Sequence, residues 1–366
     1  MSILIFVAIL FVVVVVHEFG HFFVAKKSGI RVDEFSFGFP PKVIGKKVGE
    51  TSYNINAIPF GGYVKIYGED GDEKTLKDDA KRSFIGKPRW NQALVLIAGV
   101  SMNFILAWFL LSVGFMSGLP TSTNTLDYSD KIKGQALTIT SVLSETPAEL
   151  AGLKTGDKIN YLETDKDSTL LLSSTFSPET VQNFVKNNSK EEIRINITRA
   201  KETLTLKVIP NLDSENNARI GITMDTIGKL KLPVHLAIYE GFKLSGNLFT
   251  GTAVGFYNLI KDSIQGKGSM AAISGPVGII GAVGDATEFG FIYLLSFTAL
   301  ISINLAVINL IPFPALDGGK LLFLLIEKIK GSRIKPSVAG FINSVGFGIL
   351  ILLMLFVTYN DIAKLL

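Results

Sequence analysis

The residues best suited to chemistry stand together near the start of the chain, in the run His17-Glu18-Phe19-Gly20-His21. Residues four apart on an α-helix project from one face, so both imidazoles can reach a single zinc ion. Glu18 then lies beside the open coordination position, where its carboxylate can take a proton from a zinc-bound water. The spacing predicts a zinc site with an adjacent general base.

The position of this run strengthens the prediction. Chance alone would place an H-E-x-x-H pattern in a chain of this length with a probability on the order of one per cent. The run directly follows an uninterrupted series of valines inside an apolar segment. An acidic residue at the centre of a membrane helix costs about 2.5 to 3.5 kcal/mol on insertion scales. Such a cluster needs a compensating partner, and a metal ion is one.

A third protein ligand is needed, because two histidines leave a tetrahedral catalytic zinc one donor short. The chain has no cysteine, and the distant His235 falls outside the site. A carboxylate is the natural donor, and Asp317 follows a proline-broken apolar segment, 309–316. Asp-Gly is also a common turn signal, so a turn residue is the alternative role for Asp317.

Four apolar runs are long enough to cross a hydrocarbon core, which takes about 20 helical residues. They cover residues 2–25, 92–119, 291–316 and 338–358. A signal peptide is the competing interpretation of the first run, but Lys26-Lys27 follow it in place of a small-residue cleavage site. The sequence therefore predicts an α-helical polytopic membrane protein with four transmembrane helices.

Basic residues predict how these helices are oriented. They gather after the first span, before the second, and between the third and fourth, which predicts that those loops are cytoplasmic. Both termini then lie on the non-cytoplasmic side, and the H-E-x-x-H run lies towards the cytoplasmic end of its helix. The residues are Lys26, Lys27, Arg31, Lys87, Arg89, Lys328, Lys330, Arg333 and Lys335.

The chain between the spans predicts three further regions. Residues 31–68 mix aromatic residues with glycine and predict a membrane-associated β-hairpin region on the cytoplasmic side, within a first half of the membrane core that covers 1–119. Residues 120–232 predict a non-cytoplasmic α+β domain, with a helix that begins at Ser177-Pro178. Residues 233–290 predict an interfacial amphipathic segment, and 291–366 the second half of the membrane core.

Composition excludes several classes of function. Apolar residues make up 48% of the chain, and the formal charge is only +4. We find no basic stripe with interleaved aromatic residues, so a nucleic-acid partner is not expected. Without cysteine the fold has no disulfides, and any metal must use nitrogen and oxygen ligands.

With these residues in place, the chain resembles the bacterial site-2 proteases, zinc-dependent intramembrane proteases that include the regulator-of-sigma-E protease. The resemblance rests on H-E-x-x-H, on the N-x-x-P-x-P-x-L-D-G form of residues 309–318, and on residues 99–103. It implies one zinc ion per chain, held by His17, His21 and Asp317, with Glu18 as the catalytic base. It also implies that Asn309 and Asn103 lie near the bound substrate. For Asn103, an interhelical hydrogen bond is an equally open alternative.

The same resemblance extends to the regions between the spans. Residues 147–159 resemble a circularly permuted bacterial PDZ domain, a fold that binds extended peptide by strand addition. Enteric family members carry two such domains in tandem, whereas this chain has room for one. The resemblance implies a bacterial inner-membrane protein that acts in the lipid bilayer. Its partners would be single-span proteins such as anti-sigma factors or remnant signal peptides, with peptide or substrate ectodomain at the PDZ domain and substrate held along the hairpin.

Two other classes of function compete with this interpretation. A catalytically silent membrane scaffold would be expected to have lost at least one of the four residues predicted to act in catalysis. All four are present: His17, Glu18, His21 and Asp317. A transporter with an intramembrane proton relay would also place Glu and His in a span, but it predicts a repeated architecture, and we see no internal repeat.

Overall fold

The computed structural model describes residues 1–69, 79–123, 128–143, 145–165, 177–200, 202–212, 217–266 and 275–363. The chain divides into two compact units. The first comprises Met1–Val113, Ile238–Thr287 and Leu294–Leu366, and the second comprises Gly114–Ala237 and Glu288–Tyr293. Each unit has its own hydrophobic core.

Four helices of the described residues are long and apolar enough to cross a membrane, judged by length and composition. They are α1 (Ser2–Lys27), α2 (Arg89–Ser117), α7 (Phe291–Leu310) and α9 (Pro336–Ala363). The third span predicted from the sequence extends to residue 316, whereas α7 ends at Leu310. Pro312 and Pro314 follow, and neither can donate the backbone hydrogen bond that would continue the helix.

Helix α8 (Asp317–Lys330) begins directly after this proline-containing turn. Its cap residue is Leu316, so Asp317 stands at the first helical position. The helix ends at Gly331, which adopts the left-handed conformation that glycine accepts without steric cost. The proline-containing turn therefore places Asp317 at the start of α8.

The hairpin region forms a sheet of β1 (Val32–Val48) and β2 (Thr51–Ile66). The end of β1 pairs with the start of β2 beside the turn, where Val48 faces Thr51. The first part of β1 lies between two parts of β2, because residues 34–37 pair with both 52–55 and 62–65. No other described strand joins this sheet, so the last residues of β2 form one of its edges.

Two helices occupy the region predicted as an interfacial segment. Helix α5 (Val234–Ile264) packs along α2 and α7: the Trp108 indole donates to the Ile238 carbonyl at 2.9 Å, and Thr252 donates to Asn304 at 3.3 Å. Helix α6 (Pro276–Phe289) packs Val283 against the start of α1. The placement of these helices relative to a bilayer stays a prediction.

The second unit is built on a six-stranded sheet in the order β3-β10-β4-β5-β6-β7. The strands are β3 (Leu119–Ser122), β4 (Ile132–Val142), β5 (Lys158–Glu163), β6 (Ile193–Arg199), β7 (Glu202–Val208) and β10 (Ile222–Leu230), beside a short pair, β8 (Asn211–Leu212) and β9 (Ala218–Arg219).

Two helices, α3 (Pro147–Leu150) and α4 (Pro178–Asn187), complete the second unit. The Ser177 hydroxyl caps α4 by accepting a hydrogen bond from the Thr180 amide at 3.3 Å, as the sequence predicts. The α4 helix buries Val181, Phe184 and Val185 in the core of the unit.

Candidate metal centre

The metal-binding candidates lie on the buried face of α1, where His17 and His21 are 6% and 7% exposed. Helix α2 crosses this face at Gly99. A Cβ atom at Gly99 would lie 2.7 Å from Cε1 of His17 and 2.8 Å from Cε1 of His21, closer than packed atoms allow. The absence of a side chain at Gly99 therefore makes room for both imidazoles.

Asp317 completes a cluster of three donors. Its Oδ2 atom lies 3.2 Å from Nε2 of His17 and 3.2 Å from Nε2 of His21, and the two Nε2 atoms are 3.2 Å apart. Zinc bound to such donors at about 2.0 to 2.1 Å in a tetrahedron would separate them by about 3.3 Å. The triangle therefore has nearly the size of one face of a zinc coordination tetrahedron.

The chemistry of the donors agrees with this geometry. Two imidazoles and a carboxylate are ligands that zinc accepts at catalytic sites with one position left for water. The Oδ2 atom of Asp317 is buried without a hydrogen bond among the described residues. A buried carboxylate oxygen in this condition needs a cation, so the residues present fit the metal.

Backbone and side-chain contacts orient the two imidazoles. The Nδ1 atom of His21 lies 2.8 Å from the carbonyl of Val95 and donates to it, which leaves Nε2 free to face the cluster. Nδ1 of His17 lies 3.4 Å from Nδ2 of Asn103. The other amide atom of Asn103, Oδ1, is buried without a partner in the part of the chain that the structure describes.

Asn103 is fully buried, at 0% exposure, between helices. Besides its contact with His17, its backbone carbonyl accepts a hydrogen bond from the Ser302 hydroxyl of α7 at 2.9 Å. The sequence left two roles open for this residue, contact with substrate and an interhelical hydrogen bond. In this structure the side chain contacts His17 on the neighbouring helix, and both roles stay predictions.

A cavity of about 330 Å³ opens onto the cluster. The predicted base Glu18 and the predicted substrate contact Asn309 both line it, together with all three metal-binding candidates. The edge of the hairpin sheet forms another wall through residues 61–64 and Ile66. The structure thus brings five of the six predicted site residues to one cavity.

Gly62 allows the edge strand to approach the motif helix closely. A Cβ atom there would lie 3.1 Å from Cγ1 of Val14 and 3.5 Å from Cγ of Glu18. The strand backbone therefore passes directly beside Glu18.

Sequence reasoning missed one ion pair in the cavity wall. The Nζ atom of Lys320 lies 2.6 Å from Oε1 of Glu69, and both residues line the cavity. The Glu69 carboxylate raises the pKa of Lys320, and Asp317 adds to this effect against the opposing effect of burial. The available signal was the position of Lys320, about one helical turn after Asp317. Nothing in the sequence pointed to Glu69, whose contact with Lys320 joins distant parts of the chain.

Comparison with known proteins gave a family match. The profile described as peptidase family M50 matches residues 5–353. A Clostridium acetobutylicum protein that carries a zinc metalloprotease name is 33% identical over 356 residues, which cover 96% of this chain and 94% of the relative. The zinc metalloprotease RasP of Shouchella clausii is 30% identical and covers 100% of this chain and 99% of its own length.

Two further likenesses were found. The regulator of sigma-W protease RasP of Bacillus subtilis is 28% identical, over 100% of this chain and 99% of the relative. Among solved structures, the PDZ domain of an SdrC-like protein from Listeria monocytogenes matches with a TM-score of 0.21 at 20% identity. That match covers 26% of this chain and 92% of the solved domain.

Proposed function

Because this chain belongs to peptidase family M50 and is an integral membrane metallopeptidase, we propose that it cuts the transmembrane segments of single-span membrane proteins. The observation that carries the proposal is the position of the donor cluster. His17 and His21 lie on a helix that is long and apolar enough to cross a membrane, and Asp317 meets them there. A metal centre on such a helix is suited to substrates that are themselves in the bilayer.

We assign one zinc ion per chain to His17, His21 and Asp317. When bound, zinc lowers the pKa of a coordinated water and polarises the carbonyl to be attacked. Glu18 takes a proton from the attacking water and delivers it to the leaving amine, so the peptide bond is exchanged for a carboxylic acid and an amine. The Val95 carbonyl orients His21 by accepting a hydrogen bond from Nδ1–H of the imidazole. Asn103 orients His17 when the Asn103 amide is turned so that its Oδ1 faces Nδ1–H of His17.

The substrate must lose its helical structure before it is cut, because a helix encloses its own peptide groups. The edge at residues 62–66, which no other described strand joins, offers backbone partners to an unwound segment, which would add to the sheet as a further strand. Asn309 lines the same cavity and would contact this strand. Gly62 supports the assignment, because it lets the edge pass beside Glu18.

The second unit would act as a PDZ-like domain that binds peptide or the ectodomain of a substrate. Strand β3 pairs with β10 over residues 227–230, and domains of this kind bind extended peptide by strand addition at a sheet edge. We place this domain and both termini on the non-cytoplasmic side of a bacterial inner membrane, with α5 and α6 at the interface. Anti-sigma factors and remnant signal peptides are the proposed substrates; the name of the Bacillus subtilis relative supports the first.

The test is cleavage of a tagged single-span substrate by the purified protein in detergent. We expect Glu18→Gln to lower turnover by about 10² to 10⁴, because general-base catalysis contributes that much, while the zinc content stays near that of the wild type. A zinc chelator should abolish cleavage, and added zinc should restore it. Equal turnover by Glu18→Gln and the wild type would overturn the mechanism.

A further inference from the structure

A second cavity, of about 440 Å³, adjoins the one at the metal centre. The two cavities share Glu69, Leu96 and Lys320 as lining residues. The Glu69–Lys320 ion pair therefore stands at the boundary between them. The second cavity extends from this boundary to the starts of α2 and α9 and to the half-buried side of α8 that carries Phe323 and Leu324.

Three of the charged and polar side chains around the second cavity are engaged with the protein itself. Arg333 donates to the Ile85 carbonyl at 2.6 Å, and the Glu327 carboxylate accepts from the Ile334 amide at 2.9 Å. Gln92 donates to the Lys87 carbonyl at 2.7 Å. Because these side chains already form hydrogen bonds within the protein, we expect the apolar lining residues to determine which ligand the cavity binds.

Those walls are formed by large apolar side chains, including Phe84, Phe323, Leu324 and Ile334. Burial of apolar side chains against such walls is favourable in proportion to the area removed from water. The volume exceeds that of the first cavity and has room for more than one side chain. The apolar lining and the volume of the second cavity suit a peptide segment with apolar side chains.

The edge strand leads from the metal centre to this cavity. Gly62 lies beside Glu18 on α1, whereas Ile66 packs with Ala25 and Ile30 at the end of that helix. Residues 62–66 therefore run from the catalytic motif towards the end of α1. Glu69 follows shortly after, at the boundary of the second cavity. A substrate strand paired along this edge would be directed to the same boundary.

We propose that the second cavity is a substrate subsite, which binds the extended peptide segment that continues from the scissile bond past the Glu69–Lys320 ion pair, and that it favours apolar side chains there. This inference rests on the proposed proteolytic function, and it adds a determinant of substrate choice remote from the metal. The occupant is the substrate itself, since the subsite is continuous with the cavity in which the substrate is cut.

Two glycines of α9 provide a matched pair of variants. Gly340 lines the second cavity, and a Cβ atom there would meet no described atom within 4 Å, so Gly340→Leu adds a side chain at the cavity without a backbone clash. Gly348 is on the same helix, and a Cβ atom there would also meet no described atom within 4 Å, which makes Gly348→Leu the control. Ala339→Leu is a second filling variant from a lining position.

The probes are two single-span substrates with the same scissile region. One carries a run of leucines on the side of the cut nearer the end of α1, and the other carries serine and glycine there. We expect Gly340→Leu and Ala339→Leu to raise KM for the leucine substrate about tenfold, with kcat unchanged, because an apolar segment loses its binding surface. KM for the serine-glycine substrate should stay constant, and Gly348→Leu should change neither.

A cross-linking measurement examines the subsite without cleavage. With a photoreactive residue in the leucine run, the Glu18→Gln protein should yield a cross-link to α8 near Phe323, and Gly340→Leu should remove it. Absence of this cross-link, or equal KM effects on both substrates, would assign the cavity to water or lipid and overturn the proposal. Failure of the proteolytic function has a different signature, which is cleavage that Glu18→Gln leaves unchanged.

Discussion

Asn103 is the buried side chain that contacts the proposed metal ligand His17. Its amide is in contact with Nδ1 of His17, on the side of the ring opposite to the donor cluster. A metal-bound imidazole needs an acceptor for its other N–H, and loss of such a partner typically weakens metal binding by about 10- to 100-fold.

We therefore expect Asn103→Leu to lower zinc affinity by about 10- to 100-fold, measured by competition with a chromophoric chelator. Asn103→Asp keeps an acceptor for the imidazole and should retain most of the affinity. Ser101→Ala is the control, because Ser101 is exposed on the same helix and donates only to the Ile97 carbonyl within it. Unchanged zinc affinity with a raised KM would instead support a substrate contact for Asn103.

At the scale of the element, one ion pair in the second unit joins a loop to a strand. Asp157 is fully buried at 0% exposure and accepts from both Nε and Nη2 of Arg199 at 2.7 Å. It also accepts from the Lys154 amide at 2.8 Å. Removal of one partner from a buried pair leaves an uncompensated charge, which costs about 3 to 5 kcal/mol.

Asp157→Asn should therefore destabilise the second unit by an amount that approaches this range, about 3 kcal/mol, with faster hydrogen exchange in β5 and β6 of the full chain. Asp165→Asn is the matched control, since Asp165 also pairs with an arginine, Arg194 at 2.7 Å, but its side chain is 77% exposed. Exposed pairs contribute about 0 to 1 kcal/mol, so the control should change little. Equal exchange rates in the two variants would contradict the role given to Asp157.

The elements also show what could be predicted from the sequence. Long apolar runs and a Ser-Pro helix start are local signals, so the four candidate spans and α4 were predictable to within a few residues. The end of α7 was predicted too late, because the apolar run continues through Pro312 and Pro314 although the helix does not. The double pairing of β1 residues 34–37 has no periodic signal, since it depends on contacts between distant parts of the hairpin.

The candidate site likewise combines residues that local sequence signals predict with contacts between residues far apart in sequence. The spacing of His17 and His21 is a local signal, and elimination of other ligand types left a carboxylate, for which Asp317 after the proline-broken segment was the candidate. The contacts of Val95, Asn103 and Glu69 join segments far apart in sequence, and one sequence without an alignment carries no record of them.

At the scale of the whole molecule, the cluster draws on three separate helices, α1, α2 and α8, and hydrogen bonds from α2 fix its imidazoles. The three come from both ends of the first unit's sequence, with the second unit inserted between them. A cluster assembled in this way forms only when the membrane helices have packed. Orientation in the membrane then decides from which side water and substrate ends reach it.

Chemical labelling can establish this orientation, because the chain has no cysteine of its own and single-cysteine variants are therefore unambiguous. Ser332→Cys places a thiol in the loop between α8 and α9, where basic residues predict the cytoplasmic side. Lys190→Cys places one on the exposed surface of the second unit, beyond α4. In intact bacterial cells whose outer envelope is permeable, a membrane-impermeant maleimide should label the Lys190 variant and spare the Ser332 variant.

Both thiols should react once the inner membrane is opened with detergent, which shows that the thiol of the Ser332→Cys variant is accessible. Cleavage activity equal to that of the wild type would show that neither substitution has disturbed the fold. Labelling of Ser332→Cys alone in intact cells would reverse the topology. The metal centre would then lie towards the non-cytoplasmic side, because Arg333 of this loop donates to the Ile85 carbonyl, and Ile85 packs with Ala25 at the end of α1 to which the His17–His21 motif leads.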